Sequence, residues 1–261
     1  MRLFAKKSLG QNFLITPRIV DMIATSADLK EGELAIEIGP GKGVLTKALL
    51  AKGARVKAIE KDDRLIPILQ EEFKKEITSG QLELIHGDIM EMNIDESVEK
   101  IDGGYKIIAN IPYYITGALI RIFLSASKKP ELMVLMVQKE VATRIVARDE
   151  KESLLALSVK VYAKPEIVMN VARGNFFPIP NVDSAVIKLS DIRNPFADKI
   201  AEERFFEIIK AWFSQKRKKL SSNLSQVMTK EEIASQFEKL NLDPNIRAED
   251  MKLEQWLAFV S

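Results

Sequence analysis

What most constrains the fold of this chain is an alternation of short apolar runs with stretches of helical spacing. Leu34 to Ile38 precedes a helical pattern from Val44 to Lys52, and Arg55 to Ile59, ending at Glu60, precedes one over Asp62 to Glu76. Leu82 to Ile85 ends at His86-Gly-Asp88. Tyr105 to Ala109 leads through Asn110-Ile-Pro-Tyr113 to a helix from Thr116 to Ser125. Leu132 to Val137 leads to helices from Lys139 to Ala147 and from Ser153 to Tyr162. Strand-like runs alternating with helical patterns predict a parallel sheet with helices on both faces. Two later strands, Glu166 to Val171 and Ser184 to Leu189, flank Phe176-Phe-Pro-Ile-Pro180 and predict a closing antiparallel hairpin. Turn residues collect between Asp191 and Pro195, and only helical patterns follow: Ala201 to Phe213, Lys216 to Gln226, Lys230 to Leu240 and Lys252 to Phe259. The chain therefore reads as an α/β domain over residues 1–192 and a small all-helical domain over 193–261.

At 261 residues and 46% hydrophobic content a sizeable core is available. Cysteine is absent, which excludes disulfides, thiolate catalysis and cysteine-ligated metals. The longest wholly apolar run, Leu132 to Val137, falls far short of the ~20 residues that span a bilayer. The N-terminus lacks an apolar stretch of signal-peptide length, so a cytoplasmic protein without membrane contact is expected. The net charge of +2 says little, but residues 1 to 18 carry Arg2, Lys6, Lys7 and Arg18 with no acid among them. Lys216-Arg217-Lys218-Lys219 is an unbroken basic run. Either cluster alone is most simply a solvated surface.

The chemistry gathers at the strand ends. In a doubly wound sheet the ligand sits outside the carboxyl ends of the strands, at the switch point. The loop Glu37-Ile-Gly-Pro-Gly-Lys-Gly43 leaves the first strand there, and Gly39 and Gly41 let a ligand approach the backbone. Glu60 follows about twenty residues on, where an acid grips ribose hydroxyls. That placement fits a nicotinamide dinucleotide as well as S-adenosyl-L-methionine. Asp88, at the third strand end, can accept from an adenine amino group, and Ile89 can pack against its ring. Ordinary alternatives are a helix N-cap for Asp88 and a surface acid for Glu60.

The fourth strand end makes the choice. Asn110-Ile-Pro-Tyr113 suits transfer of a methyl group to an amide-like or aromatic amino nitrogen, whose lone pair is delocalised. The Asn110 side-chain oxygen and the Pro112 carbonyl can accept its N–H hydrogens and draw the lone pair out of conjugation. Tyr113 offers a ring for a flat base. Enzymes acting on a base take it out of its stack and hold it between flat side chains. Phe177, beside the stiff Pro178-Ile-Pro180, is the candidate for the second face, and Phe176 for the core. His86, the only histidine, lies at the adenine end, so no general base stands out. No acid/histidine grouping has metal-ligand spacing.

Taken together these segments resemble the small-subunit ribosomal RNA adenine dimethyltransferases, the enzymes linked to kasugamycin sensitivity. Besides the strand-end motifs, the likeness rests on Lys7-Ser-Leu-Gly-Gln-Asn-Phe-Leu14, Gln138-Lys-Glu-Val-Ala142, Phe177-Pro-Ile-Pro-Asn-Val-Asp-Ser-Ala-Val186, Phe213-Ser-Gln-Lys-Arg-Lys-Lys219 and Arg247-Ala-Glu249. It implies a Rossmann-like class I methyltransferase sheet and S-adenosyl-L-methionine as cofactor. By this likeness Asn12 and Leu14 close over the cofactor, Gly39 and Gly41 lie under it, Glu60 holds its ribose, and Asp88 with Ile89 reads its adenine. Asn110 borders both cofactor and target, and Pro112, Tyr113 and Phe177 serve the target base. Lys6, Lys7, Lys216, Arg217, Lys218 and Lys219 would meet RNA phosphates. The implied reaction places two methyl groups on each of two adjacent adenosines in the 3′-terminal hairpin of 16S rRNA. The implied substrate is an immature small subunit, with a part in ribosome biogenesis, and the implied enzyme is a monomer.

Tyr114, Asn181 and Lys216 stand where that family commonly has Asn or His, Lys, and Arg; none is a methyl-transfer residue. The related 23S rRNA adenine methyltransferases share most of these motifs, but the Phe213–Lys219 and Asp243–Glu249 segments favour the small-subunit enzymes. A non-catalytic RNA-binding descendant would be expected to have lost Glu60, Asp88 or Asn110. A DNA adenine methyltransferase would carry Pro where Ile111 stands.

Overall fold

The computed structural model describes residues 6, 10–147, 151–213, 228–243 and 246–260. Its strands are β1 (Phe13–Leu14), β2 (Leu34–Ile38), β3 (Arg55–Glu60), β4 (Leu82–His86), β5 (Tyr105–Asn110), β6 (Leu132–Gln138), β7 (Lys164–Val171), β8 (Phe176–Phe177) and β9 (Ser184–Ser190). Seven of them form one sheet in the order β4-β3-β2-β5-β6-β9-β7. β2 to β6 run parallel, and β9 pairs antiparallel with both β6 and β7, the hairpin expected from the sequence. The α/β, Rossmann-like expectation holds. Both faces of the sheet are covered, because neighbours that point to opposite faces are alike buried: Ala35 and Ile36, Ile107 and Ile108, Met133 and Val134.

The register positions the site. Ile38 lies opposite both Ile59 and Ala109, Glu60 opposite His86, and Asn110 opposite Met136, so the strands finish nearly level. β2 is flanked by β3 on one side and β5 on the other, and the chain changes direction across the sheet at that point. The helix Val44–Ala51 begins straight after Gly43, whose φ is +77°. A Cβ at Gly43 would run into the Phe73 ring, so glycine is required there twice over. Phe73, at φ −110° and ψ 27°, also splits the long helix expected over Asp62 to Glu76 into Ile66–Glu72 and Lys74–Thr78.

The described chain divides into two compact units, residues 1–142 with 163–192 and residues 143–162 with 193–261. Residues 143–162 thus belong with the second unit, although the sequence pattern put them in the first. The helix Leu154–Lys160 buries Ala156, Leu157 and Val159. The Glu152 N–H donates to the Glu249 carbonyl (2.8 Å), and the Tyr162 hydroxyl donates to the Glu202 carboxylate. These long-range bonds have no signature in local periodicity. In the same unit the helix Lys199–Phe213 turns Phe205, Ile208, Ile209 and Trp212 inward at helical spacing, and Trp212 packs on Trp256 with ring centroids 4.0 Å apart. Thr229 and Glu232 form a reciprocal capping box at the head of the helix Lys230–Lys239. The helix expected from Lys216 to Gln226 lies outside the described residues. Among those described, no helix is long and apolar enough to cross a membrane.

Candidate functional site

The level strand ends of the first unit surround a cavity of about 350 Å³. Each wall comes from a different strand exit. The glycine loop after β2 contributes Gly39 and Gly41, the end of β3 contributes Glu60, and the turn after β4 contributes Asp88 and Ile89. Asn110, Pro112 and Tyr113 follow from β5, and the N-terminal segment lays Asn12 and Leu14 across the opening. Every proposed cofactor residue therefore lines one cavity, together with three of the four proposed base-handling residues. Phe177 does not line it. It is 64% exposed, whereas Phe176 is buried and forms part of the wall. Lys6 is exposed, and its N–H donates to the Gln11 Oε1 (2.8 Å). Lys7, Lys216, Arg217, Lys218 and Lys219 lie outside the described residues.

The acids of the wall are held by a chain of hydrogen bonds. Glu60 accepts from the Gly41 N–H at one oxygen (3.0 Å) and from the Asp62 N–H at the other (2.8 Å). Burial raises the Glu60 carboxyl above its ordinary value even against those bonds. Asp62 in turn takes a forked pair from Arg64 (2.8 and 2.6 Å) and one bond from the Gln11 amide (2.7 Å). The Arg64 guanidinium holds Asp62 well below the usual carboxylate range. Desolvation works to raise Asp88, but the bond from the Lys61 ammonium and the one from the Met90 N–H outweigh it and leave Asp88 lowered.

The N-terminal segment is anchored on two sides. Gln11 ties it to Asp62, and β1 pairs antiparallel with β8, Phe13 opposite Phe177 and Leu14 opposite Phe176. Ile15 extends the pairing by donating to the Asn175 carbonyl (2.9 Å). Gly41, at φ +61°, leaves room for the Phe13 ring, which a Cβ would meet at 3.3 Å. The Pro112 carbonyl already accepts one long bond from the Ile115 N–H (3.3 Å) and keeps a second lone pair.

Sequence reasoning passed over several residues of the site. Gln11 and Asp62 act through each other across fifty-one positions, which no local pattern reveals. Tyr114 lines the cavity and is 67% exposed; its signal is the departure from the family pattern. Glu37, at the start of the glycine loop, is buried in the wall and accepts from the Thr46 hydroxyl (2.6 Å).

Burial, opposed by the Thr46 bond and reinforced by Glu60, pushes the Glu37 carboxyl from its ordinary 4.5 up to about 8. Between those values the folded chain keeps a proton that the unfolded chain has released, so this group's contribution to stability falls as pH rises across the window. Glu37→Gln stays neutral and can still accept from Thr46. Thermal melts at about pH 5 and about pH 8 should show the variant gaining on the wild type as pH rises. An equal difference at both would mean that Glu37 is already ionised in the native chain.

A family model described as ribosomal RNA adenine dimethylase matches residues 3–261. The ribosomal RNA small subunit methyltransferase A of Dehalococcoides mccartyi strain CBDB1 is 43% identical over 254 residues, 97% of this chain and 86% of that relative. The crystal structure of a dimethyladenosine transferase from Plasmodium falciparum aligns with a TM-score of 0.78 at 28% identity, covering 95% of each chain. That of the 23S rRNA methyltransferase ErmE aligns with a TM-score of 0.76 at 25% identity, covering 95% of this chain and 98% of the other.

Proposed function

The chain belongs to the ribosomal RNA adenine dimethylase family, and from that premise we propose that it uses S-adenosyl-L-methionine to dimethylate N6 of two adjacent adenosines in the 3′-terminal hairpin of small-subunit rRNA. One observation carries the reading. Asn110, Pro112 and Tyr113 line the same cavity as the strand-end acids Glu60 and Asp88.

The wall suits this cofactor. Glu37 and Glu60 are both buried there and both raised by that burial, and a cationic ligand offsets the cost of ionising them. An anionic pyrophosphate, as a nicotinamide dinucleotide would bring, would instead raise the cost of ionising either acid further. When bound, S-adenosyl-L-methionine supplies a methyl group already activated by the sulfonium. Glu60 accepts from the ribose hydroxyls, Asp88 from the adenine amino group, and Ile89 packs against the adenine. Gly39 and Gly41 allow backbone approach, while Asn12 and Leu14 cover the site. The Lys61 ammonium that now holds Asp88 is half-exposed, so solvent screens the pair and water can take over the ammonium when a ligand claims the carboxylate.

On the target side the extruded adenine lies on Tyr113, with Phe177 as the second face. The Asn110 side-chain oxygen and the Pro112 carbonyl accept the N6 hydrogens and free the lone pair for in-line attack. Positioning supplies most of the acceleration. Lys6, Lys7 and Lys216 to Lys219 serve as phosphate contacts, and the immature small subunit is the partner. A 23S rRNA target is the second reading, carried by the likeness to ErmE. The identity to a small-subunit enzyme over 97% of this chain favours the first.

Calorimetric titration tests the cofactor assignment. The wild type should bind S-adenosyl-L-methionine and its demethylated product and leave NAD unbound. Asp88→Ala should weaken both complexes by on the order of ten- to a hundredfold, the worth of a hydrogen bond to a charged group. Binding of NAD with no response to S-adenosyl-L-methionine would overturn the assignment.

A further inference from the structure

We propose that Ser184 is a positioning residue for methyl transfer: its hydroxyl, bonded to the Tyr113 hydroxyl, holds in place the ring on which the target adenine lies. The inference rests on the function proposed above and extends it to a residue outside the cavity lining.

The Tyr113 Oη and Ser184 Oγ are 2.7 Å apart. Tyr113 opens a one-turn 3-10 helix, Tyr113–Ile115, in the loop after β5, where the backbone alone constrains a side chain weakly. A hydrogen bond at the far end of the ring pins the direction of its long axis, and because a phenolic O–H prefers the ring plane, the same partner also biases the tilt of the ring. The other partner cannot drift. Ser184 is fully buried and opens β9, with Gln138 of β6 opposite it on one side and Val171 of β7 on the other.

The bond also ties the two proposed faces of the base site to one stretch of chain. Phe177 ends β8 and Ser184 begins β9, so a six-residue loop, 178–183, separates them. The β8 end is held by the pairing of Phe177 with Phe13. At the β9 end Asp183 accepts from the Arg173 N–H (3.0 Å) through its side chain and from the Lys139 N–H (3.0 Å) through its carbonyl. Through Ser184, the Tyr113 ring takes its orientation from the segment that carries Phe177. A bond that merely satisfied two hydroxyls would matter for stability and leave the rate untouched.

The test compares wild type, Tyr113→Phe, Ser184→Ala and the double variant in single-turnover transfer from labelled S-adenosyl-L-methionine to unmethylated small subunits, both saturating. Cofactor affinity and melting temperature are measured alongside. Each single variant should transfer about tenfold or more slowly, the scale of a small misplacement of reacting groups, with cofactor affinity unchanged. The double variant should be no slower than the slower single by more than about twofold, because one interaction is removed twice. Wild-type rates in Tyr113→Phe, or losses that multiply in the double variant, overturn the inference. If Ser184→Ala fails to fold, Tyr113→Phe decides alone, since it keeps the ring and removes only the hydroxyl. A wild type that leaves adenine N6 unmodified refutes the proposed function and this inference with it. Undiminished transfer by Tyr113→Phe from an active wild type refutes the inference alone.

Discussion

Asn110→Ala is expected to bind S-adenosyl-L-methionine nearly as well as the wild type and to lose methyl transfer by about two to three orders of magnitude, the usual cost of deleting one hydrogen-bonding group aimed at the reacting centre. Asn110 ends β5, is half-buried, and lines the cavity beside Pro112 and Tyr113. The adenine N6 lone pair is conjugated with its ring in the ground state and must leave that conjugation to attack. An acceptor that strengthens its bond as the nitrogen turns tetrahedral lowers the barrier without tightening substrate binding. In the proposed site, recognition of the cofactor's ribose and adenine falls to Glu60 and Asp88, which the substitution leaves in place. Calorimetry with single-turnover kinetics separates the two effects. Near-normal turnover would remove Asn110 from the mechanism.

The second large effect divides two adjacent phenylalanines. Phe176 is 2% exposed and packs in the core with Leu14 and Val171, so Phe176→Ala should cost ~3–5 kcal/mol of folding stability. Phe177 is 64% exposed, and its truncation should change stability by no more than ~0.5 kcal/mol. Base–aromatic stacking is worth ~1–3 kcal/mol, and each ~1.4 kcal/mol is tenfold in rate. Phe177→Ala should therefore slow transfer in a protein that still melts like the wild type. Phe177→Tyr or Trp should keep more activity than Phe177→Leu, since a flat face matters more than apolar volume. Full activity in Phe177→Ala would leave Tyr113 to hold the base with other partners.

These contrasts show what the residue pattern makes legible. β2 to β6 could be read with near-correct ends because each is a short run dominated by apolar residues and bounded by turn or helical stretches, and Ile107–Ala109 and Leu132–Val137 are apolar throughout, as a sheet buried on both faces demands. The strand-end acids followed from the rule that a doubly wound sheet binds at its carboxyl edge. Among the described residues, two strands and two α-helices escaped. β1 and β8 are two residues long and exist only because Phe13 and Leu14 meet Phe177 and Phe176 across the fold. The helix Pro17–Ser26 did carry a signal, a proline in its first turn with Ile19, Val20, Ile23 and Ala24 on one face. Ile94–Glu99 is too short for periodicity and depends on Asn93, whose side chain accepts from the Glu96 N–H. The Tyr113–Ser184 bond joins residues seventy-one positions apart, and the packing of residues 143–162 in the second unit is equally long-range. What local spacing encodes was readable, and what tertiary pairing creates was not.

If adenine N6 in small-subunit rRNA is the methyl acceptor, one incubation reveals it. Unmethylated small ribosomal subunits are mixed with the protein and labelled S-adenosyl-L-methionine, and the modified nucleosides are then identified and mapped. The expected result is N6,N6-dimethyladenosine at two adjacent positions in the 3′-terminal hairpin, with Asn110→Ala leaving the same hairpin unlabelled over the same time. Label confined to large-subunit rRNA, or carried on any atom other than adenine N6, would contradict it.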